Sequence, residues 1–135
     1  MQLSFVAPSA VNSGVWVVGA VEGPVLLPAA ERADKASGGA IRRALAVSRF
    51  TGKPGQVLEM LAPAGIKASR LLVAGLGKPE DFDANGAEAA AAAAVGRLLG
   101  TTETQIAFEI DAPKGGKVRG ARLAAHLALG ARLKT

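Results

Sequence analysis

Residues 14–21 read GVWVVGAV, a β-branched run that is apolar at odd and even positions alike. Successive side chains of a strand point to opposite faces, so this run leaves no face fit for water and demands cover on both sides. It reads as an inner strand of a sheet with one layer packed above it and another below. Residues 70–76 (RLLVAGL) form a second compact apolar run of the same kind.

The remaining elements arrange themselves around these two. Residues 3–7 (LSFVA) alternate and stop at a turn at Pro8-Ser9, which predicts a short first strand. Residues 29–47 carry helical spacing behind Pro28, whose missing N–H costs nothing in a first turn. Gly38-Gly39 interrupts them, each glycine costing about 1 kcal/mol against Ala inside a helix, so a break is expected there. Beyond it, Ile41, Ala44, Leu45 and Ser48 form one stripe, with Arg42 and Arg43 turned away. Residues 50–60 read as two extended pieces around a hairpin turn at Gly52-Lys53-Pro54-Gly55, the second piece, 57–61, being an outer strand with one wet face.

Glu80, Asp81 and Asp83 suit a helix N-terminus. The helix they open is expected to run to about Leu99, with Ala87, Ala91, Ala94, Val95, Leu98 and Leu99 on one face and a stop at Gly100. Its alanine face should bring it close to the sheet. Residues 105–110 (QIAFEI) alternate as a strand, and residues 117–132 form a last helix. In it Ala121, Ala124, Ala128 and Ala131 share a face near Leu127, and Arg119, Arg122 and His126 fall on another. Alternating strands and helices, with inner strands apolar on both faces, give an α/β class: a three-layer α/β/α domain with a mixed sheet of about five or six strands. At 135 residues, half of them apolar, the chain is expected to be one domain over 1–135.

Composition narrows the chemistry. With no Cys, disulfide frameworks, thiolate zinc sites and thiol catalysis are excluded. No apolar run approaches the roughly 20 residues that cross a bilayer, so no membrane partner is expected. The N-terminal MQLSFVAPSAVNSG lacks the basic start and extended apolar region of a secretory signal, so the expected location is the cytoplasm. The net charge of +5 is concentrated in residues 112–135, which hold Lys114, Lys117, Arg119, Arg122, Arg132 and Lys134 and no acid. These six are the candidate anion or nucleic-acid contacts, and a solvated helix end has the same composition.

Gly75-Leu76-Gly77-Lys78, between a buried strand and a helix, stands where a phosphate loop would sit. The dinucleotide pattern needs a third Gly where Glu80 stands, and a nucleotide P-loop needs Ser or Thr where Pro79 stands. A tight strand-to-helix turn is the favoured reading. His126 is the single His, and no Gly-x-Ser-x-Gly elbow accompanies it. The acids cluster mainly at residues 80–83, where a helix N-terminus accounts for them, which leaves no converging metal ligands.

Taken in order, GVWVVGAVEG at 14–23, DKASGGAIRRALAVSRF at 34–50, GKPGQVLEML at 52–61, SRLLVAGLGKP at 69–79 and HLALG at 126–130 resemble the N-terminal domain of the leucyl aminopeptidases, the cytosol aminopeptidase family. The resemblance implies a macro-domain-like α/β fold on the outside of a homohexamer. It also implies a linker to a catalytic domain that holds two divalent metal ions, such as zinc or manganese, and removes N-terminal amino acids, leucine among them. The metal-ligating Lys, Asp and Glu residues and the catalytic Arg would lie in that second domain, beyond Thr135. Within 1–135, therefore, no catalytic, cofactor-binding or metal-binding residue is assigned. The implied role is accessory, in assembly or active-site access, with the catalytic domain and further copies of the chain as partners.

Two alternatives stand beside it. One is nucleic-acid binding through the basic segment. Without Tyr, and with Trp16 placed in a buried strand, that binding would run through phosphates rather than base stacking. The other is ADP-ribose binding, with Glu22 near the end of an early strand and the 75–77 turn as phosphate loop.

Overall fold

β2 (Val15–Val21) is the middle strand of the computed structural model, which describes residues 3–8 and 13–135. Its even-numbered residues Val18 and Ala20 pack, with Leu71 and Val73, under α1 (Pro28–Ala36) and α2 (Ala40–Val47). Val15 and Val17 pack, with Leu72, Ala74 and Ile106, under α3 (Ala84–Gly96) and α4 (Gly120–Lys134). Two-sided burial of this one strand thus creates the three layers. The exception is Trp16, which is only partly buried and donates its Nε1–H to Glu109 Oε1 at 3.1 Å.

The sheet has six strands. Four run parallel in the order β1 (Ser4–Phe5), β6 (Gln105–Glu109), β2 and β5 (Arg70–Gly75). β4 (Val57–Leu61) closes one edge antiparallel to β5, and the two-residue β3 (Val25–Leu26) pairs antiparallel with the end of β2. The mixed α/β/α architecture expected from the sequence is therefore the one observed. β1 stops at Phe5, and Ser9 of the expected Pro8-Ser9 turn lies outside the described residues.

The interruption at Gly38-Gly39 is real. Gly39 adopts φ 85°, a left-handed value that side chains disfavour, and it leaves the start of α2 with no cap of its own. Asp34 from α1 supplies one. Its Oδ1 accepts the Arg42 backbone N–H at 3.0 Å, and its Oδ2 takes the Arg42 guanidinium at 2.6 Å. Burial alone would raise the Asp34 pKa, but these bonds from Arg42 outweigh it and hold the carboxyl below the usual carboxylate range.

Three local expectations are corrected. α3 ends at Gly96 rather than Leu99, because the Leu98 N–H turns back to the Val95 carbonyl and the tighter turn keeps Leu98 inside while leaving Leu99 47% exposed. No strand forms before the 52–55 turn. The Gln56 side-chain oxygen accepts from the Thr51 and Lys53 backbone N–H groups and from the Thr51 hydroxyl, taking the place of a partner strand. α4 begins at Gly120, since the Lys117 N–H is already bonded to the Phe82 carbonyl at 2.7 Å. Its buried stripe is Leu123, Leu127, Gly130 and Ala131, with Ala121 and Ala124 exposed.

The reason for that last rotation lies in α3. A Cβ at Gly130 would fall on the Glu88 backbone, so at Gly130 the two helices meet backbone to backbone. The small residues of α3 serve this contact as well as the sheet.

Three variants are expected to separate in urea unfolding. Gly130→Val should cost about 1–3 kcal/mol, because backbone atoms cannot give way, whereas Leu99→Ser should stay within about 0.5 kcal/mol. Asp34→Asn should cost about 1–2 kcal/mol at neutral pH. The folded pKa of Asp34 lies below its unfolded value, so this contribution is complete above the ordinary carboxylate range and is lost as pH falls through the folded value. The stability difference between parent and Asp34→Asn should therefore shrink steadily as unfolding is repeated at pH values stepped down below the ordinary carboxylate range.

Candidate functional site

In open α/β sheets a ligand usually sits beyond the carboxyl ends of the parallel strands, where neighbouring connections leave toward opposite faces. Here β2 leads to α1 on one face and β5 leads to α3 on the other, so the crevice lies between the ends of β2 and β5. The chain fills it with its own 52–55 loop. A Cβ on Gly52 would overlap the Val21 carbonyl, and one on Gly75 would overlap the Lys53 carbonyl. Backbone rests directly on backbone.

The three N–H groups of the 75–77 turn are all committed. Gly75 donates to the Gln56 carbonyl at 2.9 Å, Leu76 to Ala20 at 2.9 Å and Gly77 to Gly52 at 2.8 Å. Pro79 has no N–H to give, and Glu22, at the end of β2, bonds through its own N–H to the Gly77 carbonyl at 3.0 Å. Gly75-Leu76-Gly77 is thus a seat for a neighbouring loop, not an open anion cradle.

The N-termini of α1, α2 and α3 show the same self-sufficiency, whereas α4 begins with no side-chain cap and no acid in its first turn. Asp111, after β6, accepts the Ala29 N–H of α1 through Oδ2 at 2.8 Å, and Asp83 accepts the Gly86 N–H of α3 at 2.8 Å. With Asp34 of α1 capping α2, carboxylates of the chain itself hold, at these three helices, the positions an external anion would take. The other acids are largely paired. Glu103 and Glu59 flank Arg70 at 2.6 and 2.5 Å and raise its pKa, Glu103 foremost. Glu59 also meets Arg97, and Glu109 meets Arg32. Among the described residues no three His, Asp or Glu side chains are gathered as a metal ion would require.

His126 faces α3. Its Nδ1 lies 2.6 Å from Glu88 Oε2, beside the Gly130 contact, which explains the residue as part of the helix–helix seam. The six basic candidates are all exposed but do not form one patch. Lys114 and Lys117 lie in the loop before α4, Arg119 at its N-cap and Arg122 in its first turn. Arg132 and Lys134 lie in its last turn, roughly 20 Å away along the helix. Lys134 also lays its stem against Gly96 of α3.

The long-range caps were the residues that sequence reasoning missed. A signal for one existed. Leu27 precedes Pro28 where a capping Ser, Thr, Asp or Asn would be expected, so α1 had to find its acceptor elsewhere.

Comparison with known proteins adds the following. The family model for the N-terminal domain of the cytosol aminopeptidase family matches residues 17–135. A probable cytosol aminopeptidase of Caulobacter vibrioides is 36% identical over 132 residues, covering 93% of this chain and 27% of the relative. Another, from Afipia carboxidovorans, is 34% identical over 99% of this chain and 26% of its own length. The chain thus spans about a quarter of the length of these curated relatives. Among solved structures, a tomato leucine aminopeptidase mutant superposes with a TM-score of 0.75 over 98% of this chain and 28% of that one, at 20% identity. The bottromycin maturation enzyme BotP, solved in complex with Mn, gives 0.62 over 90% of this chain and 23% of its own, at 25% identity.

The split of the basic residues makes a measurable prediction. Lys114, Lys117, Arg119 and Arg122 alone could neutralise no more than about three or four phosphates, so duplex DNA, were it to bind there, would lose roughly 40- to 150-fold in affinity between about 50 and 200 mM salt. Arg132→Gln with Lys134→Gln should leave that slope unchanged in a fluorescence titration. A steeper slope that this pair of changes reduces would mean that both ends of α4 share one phosphate track.

Proposed function

The chain belongs to the cytosol aminopeptidase family, corresponding to its N-terminal domain, and from that premise we propose that it is a non-catalytic accessory domain of a metal-dependent leucyl aminopeptidase. It supports assembly of the enzyme or shapes access to an active site built by the catalytic domain. Residues 1–135 act as a single domain, with that catalytic domain as partner and the cytoplasm as the setting.

The observation that carries this reading is the commitment of the chain's own polar groups. Crevice amides, helix caps and most carboxylates are satisfied internally, so the fold works as a rigid support rather than a reacting centre. A dinuclear metal centre does not fit the residues described. Asp34, Asp83 and Asp111 each cap a different helix, and Glu59, Glu103 and Glu109 are tied to arginines. The two divalent ions of the proposed enzyme, zinc or manganese, would accordingly be held by the catalytic domain, and no chemical step is drawn through this chain.

What the chain offers instead is shape. Its sheet is stiffened by two-sided burial, and α3 and α4 are locked together at Gly130, so its exposed faces keep fixed positions relative to one another. That is what an element guiding assembly or access requires.

The pure 135-residue chain should show no turnover of leucine p-nitroanilide with manganese or zinc at saturating concentration. Robust metal-dependent release of p-nitroaniline, abolished by a chelator and co-eluting with the chain, would overturn the accessory role.

A further inference from the structure

β4 is an edge strand whose one charged residue, Glu59, is already paired with Arg70 and Arg97. It is a regular five-residue run, VLEML, with no Pro and no Lys to discourage pairing. Its hydrogen-bonding sides can be told apart. The Gly75 N–H donates to the Gln56 carbonyl, and the Ala62 N–H donates to the Ser69 carbonyl, so the backbones of even-numbered residues face β5. Those of Val57, Glu59 and Leu61 face outward, and among the described residues nothing bonds to them.

We infer that two copies of this chain join edge to edge through β4, antiparallel, about a two-fold axis at Glu59. This does not depend on the accessory reading. Only one register satisfies every outward group. With Glu59 opposite Glu59 of the second copy and Val57 opposite Leu61, each outward N–H meets an outward carbonyl. A slip by one residue in either copy would turn half the ladder's groups away from each other.

The side chains agree with that register. Val57 lies on the α3 face of the sheet, so Glu59 and Leu61 share that face, while Leu58 and Met60 pack on the α2 face. Pairing about Glu59 sets Val57 against Leu61 on one face and Leu58 against Met60 on the other. Every flanking pair is apolar, and Leu61, 66% exposed in the single chain, gains a cover.

At the centre two carboxylates would face each other, which disfavours pairing unless cations neutralise them. The cations are in place. Arg70 holds Glu59 Oε2 at 2.5 Å, and Arg97, at the end of α3, reaches Oε1 at 3.2 Å with its own side chain half-exposed. Across the axis the Arg97 of each copy can bridge both carboxylates, so the charge pattern favours self-pairing and disfavours an acidic partner strand.

A five-residue edge buries little area, so the association is weak. In sedimentation velocity the chain should move from monomer toward dimer between roughly 10 µM and about 1 mM, as interfaces below about 1,200 Å² do. Leu61→Lys, at an exposed position, should abolish the shift over that range while leaving circular dichroism unchanged.

Register is tested by disulfides, and the parent chain has no cysteine to confuse them. Val57→Cys mixed with Leu61→Cys should give a mixed disulfide dimer, because opposed residues of a hydrogen-bonded pair lie about 5.5 Å apart between Cα atoms. Leu61→Cys alone should give none, since its copies would be displaced by four residues, roughly 13 Å along the strand. A monomer up to about 1 mM overturns the inference. So does a dimer indifferent to Leu61→Lys, or cross-linking of Leu61→Cys alone as fast as that of the mixture.

Discussion

Burial of β2 on both faces is the constraint from which the rest of the architecture descends. A strand with Val15 and Val17 on one side and Val18 and Ala20 on the other is stable only between two apolar layers. Parallel neighbours follow, because the connections that supply those layers must cross over the sheet before returning to it. β5 and β6 therefore flank β2 in the same direction, with α1 and α2 covering one face and α3 and α4 the other.

Such a sheet leaves a crevice where β2 and β5 end, and this chain closes it. Gly52 and Gly75 let the 52–55 loop lie against the strand ends at backbone distance, and the bonds from Gly77 to Gly52 and from Gly75 to Gln56, the residue just after the loop, fix it there. A Gly-Lys turn between strand and helix resembles a phosphate loop in sequence because both need close backbone approach. The partner that approaches is what differs, a phosphate in one case and a peptide carbonyl in the other. Spacing cannot distinguish the two, but the destination of each N–H can.

How much was legible follows from the range of the forces involved. The layers, the mixed sheet, the break at Gly38-Gly39 and the edge position of residues 57–61 are written in local periodicity and glycine placement, and the structure has them all. The family resemblance was legible too, because several short motifs kept their order. What local pattern could not disclose was the facing of α4. Its alanines suggested a buried stripe, but the stripe is set by Gly130, whose value depends on a residue of another helix, Glu88. Likewise the 52–55 turn looked like a hairpin because Gln56 was not recognisable as a surrogate strand. Both misreadings concern contacts between segments distant in sequence or made by side chains, where period carries no information.

The distribution of carboxylates shows why the site reading and the fold reading are one argument. Asp34 and Asp111 cap helices that lack local caps, Asp83 caps its own, and Glu109 anchors both Trp16 and Arg32. Asp34, Asp111 and Glu109 thereby fix one element relative to another, and all of these acids direct carboxylate oxygens at donors of the chain itself. A chain that places its acids at helix ends and strand junctions has used them to build a stiff frame. The acids that cap the helices and the acids that hold the arginines thus belong to one device for positioning elements.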